Sequence, residues 1–157
     1  GSGLVGSEMY IRDRSVSVLQ RKFRETFGIG PLELRNYSPL TLAYIGDAAY
    51  ELVIRSIIVE QGNAPVNKLH KRSSRLVKAK TQAEAAARLM DVFTEEELAV
   101  YKRGRNARSH TMAKNAEMTD YRMATGFEAV MGYLHLKQDY ERMVTLVSLG
   151  IGDKLGE

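Results

Sequence analysis

The sequence predicts an all-α fold, a helical bundle in one domain. Three observations carry that prediction. Apolar residues recur at three- and four-residue spacing along most of the chain, while alternation over more than four residues is absent. Helix-start signals stand in front of two of these stretches. The run from Thr81 to Met90 is rich in alanine, the strongest helix former.

The elements follow in order. Gly1 to Glu8 precede Met9 with no basic segment and no long apolar core. They read as the remnant of an added tag rather than a signal peptide, leaving 9–157 as the domain. Val16, Leu19, Phe23 and Phe27 predict an amphipathic helix over 13–27, stopped by Gly28-Ile29-Gly30-Pro31. Ser38-Pro39 places a capping serine before a proline at the first helical position. The helix that starts there runs to about Gln61, with Gly62 as its stop. After a polar break at Asn63–Asn67, one helix is predicted from Lys68 through to Met90. Thr94 and Glu97 have capping-box spacing, and the helix behind them passes Leu98, Val100 and Tyr101. Lys102 to His110 reads as a loop. A further helix begins near Thr119 and carries Tyr121, Ala124, Phe127, Val130, Met131 and Leu134. The last helix spans about Asp139 to Leu149 and ends at Gly150.

The 157 residues are enough for one domain with a real core, and 44% apolar with 27% charged residues is an ordinary globular composition. The absence of cysteine excludes disulfides, thiolate nucleophiles and thiolate metal sites. A cytoplasmic location fits. No run approaches the roughly 20 apolar residues of a membrane span. The net charge of +4 leans towards polyanionic partners.

The most informative stretch is Ser38 to Arg55, the most apolar long segment of the chain. Asp47 sits in its middle, beside Gly46 and Ala48. A carboxylate in so apolar a helix is costly unless something answers it, and a helical glycine costs about 1 kcal/mol relative to alanine. Glu128 has a similar setting, with Gly126 and Ala129 nearby. Small residues let helix backbones approach closely, so the two helices are expected to pack and bring Asp47 and Glu128 side by side. Two buried neighbouring carboxylates repel, which leaves one protonated or a cation between them. Oxygen-only donors suit Mg²⁺ or Mn²⁺. Such a site suits phosphodiester hydrolysis, in which the metal polarises the phosphate and activates water. Two plainer readings stand beside this one: pairing of Asp47 with Arg or Lys, or an outward-pointing side chain. Glu51, one turn after Asp47, is a further ligand or the partner of Arg55. Glu95, Glu96 and Glu97 read as solvated acids favoured by a helix first turn.

Basic residues are concentrated in two windows that hold no acid. Val66–Lys80 contains Lys68, Lys71, Arg72, Arg75, Lys78 and Lys80. Tyr101–Ala116 contains Lys102, Arg103, Arg105, Arg108 and Lys114. One such window is commonly a solvated face; two in a small domain are equally well read as a polyanion footprint. Asn106 and His110 add donors for phosphates, 2′-hydroxyls or base edges. Exposed stacking aromatics are few, which favours a duplex read by backbone and shape over a single strand.

Leu40 to Leu52 (LTLAYIGDAAYEL) resembles the signature helix of the ribonuclease III catalytic domain, and Thr125 to Leu134 (TGFEAVMGYL) resembles its second catalytic helix. The likeness extends over about 35–150. RGRNARSH and TGFEA, with no double-stranded-RNA-binding domain appended, resemble the Mini-III branch. The resemblance implies a homodimeric, all-α, Mg²⁺-dependent endonuclease domain in which Mn²⁺ can substitute. It implies cleavage of both strands of duplex RNA, leaving 5′-phosphate and 3′-hydroxyl ends, and a role in trimming precursor 23S ribosomal RNA. A large-subunit ribosomal protein or pre-ribosomal particle is an implied partner. Asp47 and Glu128 fall on the family's core metal-ligand positions, and Tyr44 on an aromatic that inserts into the partner subunit. The chain has Leu40, Ala43 and Thr125 where the wider family has acids, and none in the Gly62–Asn67 loop. That leaves fewer direct ligands and implies weaker metal affinity with more ligation through water. Thr125 is open to three roles: orienting such a water, capping, and core packing. The thinned carboxylate set also motivates an alternative, a non-catalytic RNA-binding or ribosome-assembly factor of the same fold.

Overall fold

The computed structural model describes residues 18–107 and 116–156, all helices and connections with no strand among them. They fall into two compact units, divided after Arg35. In the first, helix α1 covers 18–27 and ends at Gly28, whose φ of +64° is left-handed backbone that suits glycine. The expected start of this helix at 13 lies outside the described residues. A 3-10 turn at Leu34–Asn36 spans the boundary.

The second unit holds six helices: α2 (Pro39–Glu60), α3 (Val66–Val77), α4 (Ala79–Leu89), α5 (Glu95–Asn106), α6 (Ala116–Lys137) and α7 (Tyr140–Ile151). α2 starts as its sequence demands: Ser38 Oγ accepts from the Thr41 amide and Pro39 follows the cap. It ends at Glu60, and Gly62 with φ +147° turns the chain away. The core is made by Leu42, Tyr50, Ile54 and Ile58 of α2, Phe127, Met131 and Leu134 of α6, Leu89 of α4, and Met143, Leu146 and Ile151 of α7.

Two expected boundaries are corrected. The single helix from Lys68 to Met90 is two helices, broken at Lys78, whose ψ of 154° is extended. Carbonyls released by the break find side-chain donors. Tyr50 Oη donates to Leu76 O at 2.6 Å, and Thr81 Oγ1 to Arg75 O at 2.6 Å. These two carbonyls are therefore satisfied despite the break. Lys102 to Asn106 are not loop but the end of α5. Gly104 is the reason: it is buried against α6, where an added Cβ would stand 2.9 Å from both Gly126 Cα and Ala129 Cβ. The glycine among these basic residues thus serves close packing.

Glu97 also corrects its expected solvated role. Thr94 and Glu97 form the capping box, but Glu97 is 3% exposed. Arg142 Nη2 and Nε donate to its carboxylate at 2.8 and 2.9 Å, and Nη2 also reaches Val92 O. Burial pushes the carboxyl up, but Arg142 and the Thr94 amide outweigh it and hold Glu97 below its ordinary value. The pair ties the start of α5 to α7. Among the described residues, no helix is long and apolar enough to cross a membrane.

Candidate active site

The site begins with two glycines. A Cβ on Gly46 of α2 would land on the Glu128 carbonyl oxygen and stand 2.6 Å from Gly132 N. A Cβ on Gly132 of α6 would land on the Leu42 carbonyl. The backbones of α2 and α6 are thus in direct contact, in opposite directions along the contact, over the pairs Leu42–Gly132 and Gly46–Glu128. Asp47 follows Gly46 by one residue. The expected apposition of Asp47 and Glu128 is present, and the glycines set its distance.

The carboxyl groups lie within hydrogen-bond reach, but their surroundings differ. Asp47 is exposed and Glu128 half-buried, which corrects the expectation of a buried pair. The helical period explains it: Ala43, Gly46 and Tyr50 turn inward, leaving Tyr44 and Asp47 on the open side. Burial pushes the Glu128 carboxyl up to about 9, helped by a hydrogen bond to Asp47 and by its charge, while Gln82 pulls the other way. A carboxyl kept protonated by burial and by a neighbouring acid leaves a place that a cation can take from the proton. With oxygen donors and no thiolate, the pair fits a hard divalent ion.

Other expected residues are placed as follows. Glu51 accepts from Arg55 Nη2 at 2.6 Å and from Nε at 3.1 Å, the ion pair expected of its spacing. It does not join the other two acids: among the described residues no group of three or more His, Cys, Asp or Glu could hold a metal. Thr125 is buried, and its Oγ1 donates to Tyr121 O at 2.9 Å within its own helix. Tyr44 is 82% exposed. Tyr50 is wholly buried, its ring edge-on to Phe127 at 5.1 Å, and burial followed by the charge of Glu128 raises its hydroxyl pKa.

Lys68, Lys71 and Arg75 stand exposed on α3, with Lys78 exposed at its end. Arg72 donates to Gln61 Oε1 at 2.6 Å. Arg72, Arg75 and Lys78 share a cavity of about 150 Å³ with Lys154, which no sequence signal linked to them. On α5, Arg103 donates to Tyr37 O at 3.2 Å; Arg105 lies over the Tyr101 ring and donates to Asn106 Oδ1 at 3.2 Å. Arg108 and His110 lie outside the described residues.

One residue near the acids was missed. Gln82, in the first turn of α4, is 2% exposed, and its amide faces Glu128. Its Nε2 nevertheless has no partner in full hydrogen-bond geometry. The available signal was a lone amide at a position flanked by core alanines.

Residues 40–139 match the model of the Ribonuclease III domain. The chain belongs to the ribonuclease III family. Within that family it is similar to Mini-ribonuclease 3 of Thermoanaerobacter sp. (strain X514), 51% identical over 73% of this chain and 80% of the relative. Mini-ribonuclease 3 of Enterococcus faecalis is 48% identical over 80% of this chain and 96% of its own. These likenesses put the chain in the Mini-ribonuclease 3 branch. Among solved structures, protein FN1578 from Fusobacterium nucleatum superposes with a TM-score of 0.70 at 28% identity, over 80% of this chain and 97% of that one. The ribonuclease III match runs from the second residue of α2 through α6 and so holds both acids.

Proposed function

We propose that this chain is a divalent-cation-dependent endoribonuclease of double-stranded RNA, with Asp47 and Glu128 as its catalytic, cation-holding pair. The observation that carries the reading is the backbone contact at Gly46 and Gly132, which costs helix propensity and brings the two carboxyls together. Bound Mg²⁺ or Mn²⁺ would supply charge stabilisation and water activation at a scissile phosphate. The chain's own part is to hold the two acids at fixed separation and to present the phosphodiester to them. The exposed basic residues of α3 and those at the end of α5 supply cations for the duplex backbone. Two carboxylates are few for such a site, so we expect weak affinity for the ion.

The natural substrate in this reading is precursor 23S ribosomal RNA, free or within a pre-ribosomal particle that includes a large-subunit protein. The working form is a homodimer. Leu40, Tyr44 and Leu52 leave apolar surface on α2 beside Asp47, and a second copy would cover it.

The deciding experiment is Asp47→Asn on a long RNA duplex with Mg²⁺. Loss of cleavage with duplex binding retained is expected. Cleavage at the wild-type rate would end the reading. Binding without cleavage by the wild-type chain would favour an RNA-binding assembly factor instead.

A further inference from the structure

Gln82 poses a question that packing does not answer. It lies on a buried face of α4 formed with Ala83, Ala85, Ala86 and Leu89. Its Nε2 is buried and finds no partner in full hydrogen-bond geometry, alone in this among the described side chains, although the Glu128 carboxyl is its neighbour. An unmet buried donor is destabilising, and an apolar side chain of the same length would avoid that cost. Its direction is informative: the amide faces the carboxyl of Glu128, to which it can only donate through an N–H. The Glu128 carboxyl is at the same time engaged with Asp47. One acceptor thus stands between an acid and an amide.

The backbone under Gln82 is held firmly. Its amide nitrogen donates to Lys78 O at 3.1 Å, and the preceding Thr81 is tied to Arg75 O. Tyr50, one turn from Gly46, anchors Leu76 O. The α3–α4 break at Lys78 is therefore pinned from both sides, and it sets the direction in which Gln82 projects.

We propose that Gln82 is a positioning residue for the cation site, its N–H completing a hydrogen bond to Glu128 when a divalent ion separates Glu128 from Asp47. This deepens, and rests on, the reading of those two acids as the cation-holding pair. Without the ion, Glu128 leans on Asp47 and the amide's approach to it falls short of full hydrogen-bond geometry. With the ion bound, Glu128 would help hold it while also accepting from Gln82, which would fix the carboxylate's rotation. Partners of this kind orient ligands in other metal sites, and their loss costs about 10–100-fold in affinity.

The test uses Gln82→Met and Gln82→Leu in the full chain, with Mn²⁺ alone as the probe. Free Mn²⁺ is followed by electron paramagnetic resonance without RNA. The expected result is a dissociation constant raised about 10–100-fold, with the metal-free melting temperature equal to or above wild type. In cleavage assays the Mg²⁺ concentration for half-maximal rate should rise similarly, while the rate at saturating Mg²⁺ returns towards wild type. Wild-type Mn²⁺ affinity in a folded variant would overturn the proposal. So would collapse of the metal-free fold in both variants, since the amide would then be structural. Asp47→Asn measured in parallel separates the two claims. If it binds Mn²⁺ and cleaves like wild type, the paired-acid reading fails. If it loses both while the Gln82 variants do not, the role of Gln82 alone fails.

Discussion

Glu128 is half-buried beside an exposed Asp47, and this asymmetry makes the site responsive to pH. The Glu128 carboxyl rises from its ordinary 4.5 to about 9, first by burial, then by the hydrogen bond and charge of Asp47. The metal-free folded state therefore keeps a proton that the unfolded chain gives up. Stability is unaffected below the ordinary pKa and falls as pH rises from about 4.5 to about 9. Urea midpoints of metal-free protein should decline across that window, and Glu128→Gln should remove the slope. An ion entering the site must displace the same proton, so Mn²⁺ affinity should rise as pH approaches 9. A flat affinity across the window would show that Glu128 is not a ligand. Arg142 gives a second residue-scale case. Its side chain is 26% exposed against 4% for Glu97. Arg142→Met would strand a buried carboxylate and should cost about 2–4 kcal/mol in urea unfolding, the lower end reflecting solvent access to the guanidinium.

Elements are positioned here by missing side chains. Gly46 and Gly132 each stand where a Cβ would overlap backbone of the other helix. Backbone cannot yield as a flexible side chain does, so Gly46→Ala must push α2 and α6 apart. We expect a stability loss of about 1–3 kcal/mol or more, as for overpacked cores. A shift of even 1 Å between reacting groups can cost about 100-fold in rate. Cleavage by Gly46→Ala should therefore fall far more than its folded fraction, read by circular dichroism on the same samples. Gly104 and Gly126 play the same part between α5 and α6. Reading 102–106 as loop missed this, because glycine among arginines has a flexible composition whether or not a neighbour holds it. The break at Lys78 was missed for the opposite reason. Lys78 and Ala79 are good helix formers, and only Tyr50 and Thr81, donating to Leu76 and Arg75, make the interruption affordable.

At the scale of the whole molecule, a net charge of +4 and pI of 9.3 lean towards polyanionic partners. With phosphate contacts supplying most of the affinity, duplex binding should weaken steeply between about 50 and 200 mM salt. Lys71→Ala should weaken it for all duplex sequences alike and reduce the log–log salt slope by about 1. An unchanged slope would remove α3 from the duplex interface. The exposed apolar surface of α2 belongs to the same scale. For the homodimer proposed above, sedimentation should find Tyr44→Ala shifted from dimer towards monomer, with the isolated fold kept, since Tyr44 is 82% exposed.

Helix content, the caps at Ser38 and Thr94, and the two helices that carry the acids were legible in the chain itself. Each depends on neighbours within a turn or two, where periodicity and capping chemistry act. The pairing of Asp47 with Glu128 was legible as well, because small residues advertise close approach even across some 80 positions. What only the tertiary structure decided is the environment of each acid. Exposure of Asp47, half-burial of Glu128, the engagement of Glu51 with Arg55 and the burial of Glu97 under Arg142 all depend on which face each helix turns inward. Gln82 reaches Glu128 only because α4 departs from α3 at Lys78. A helix face is written in local spacing, whereas what stands opposite it is set by packing among segments distant in sequence.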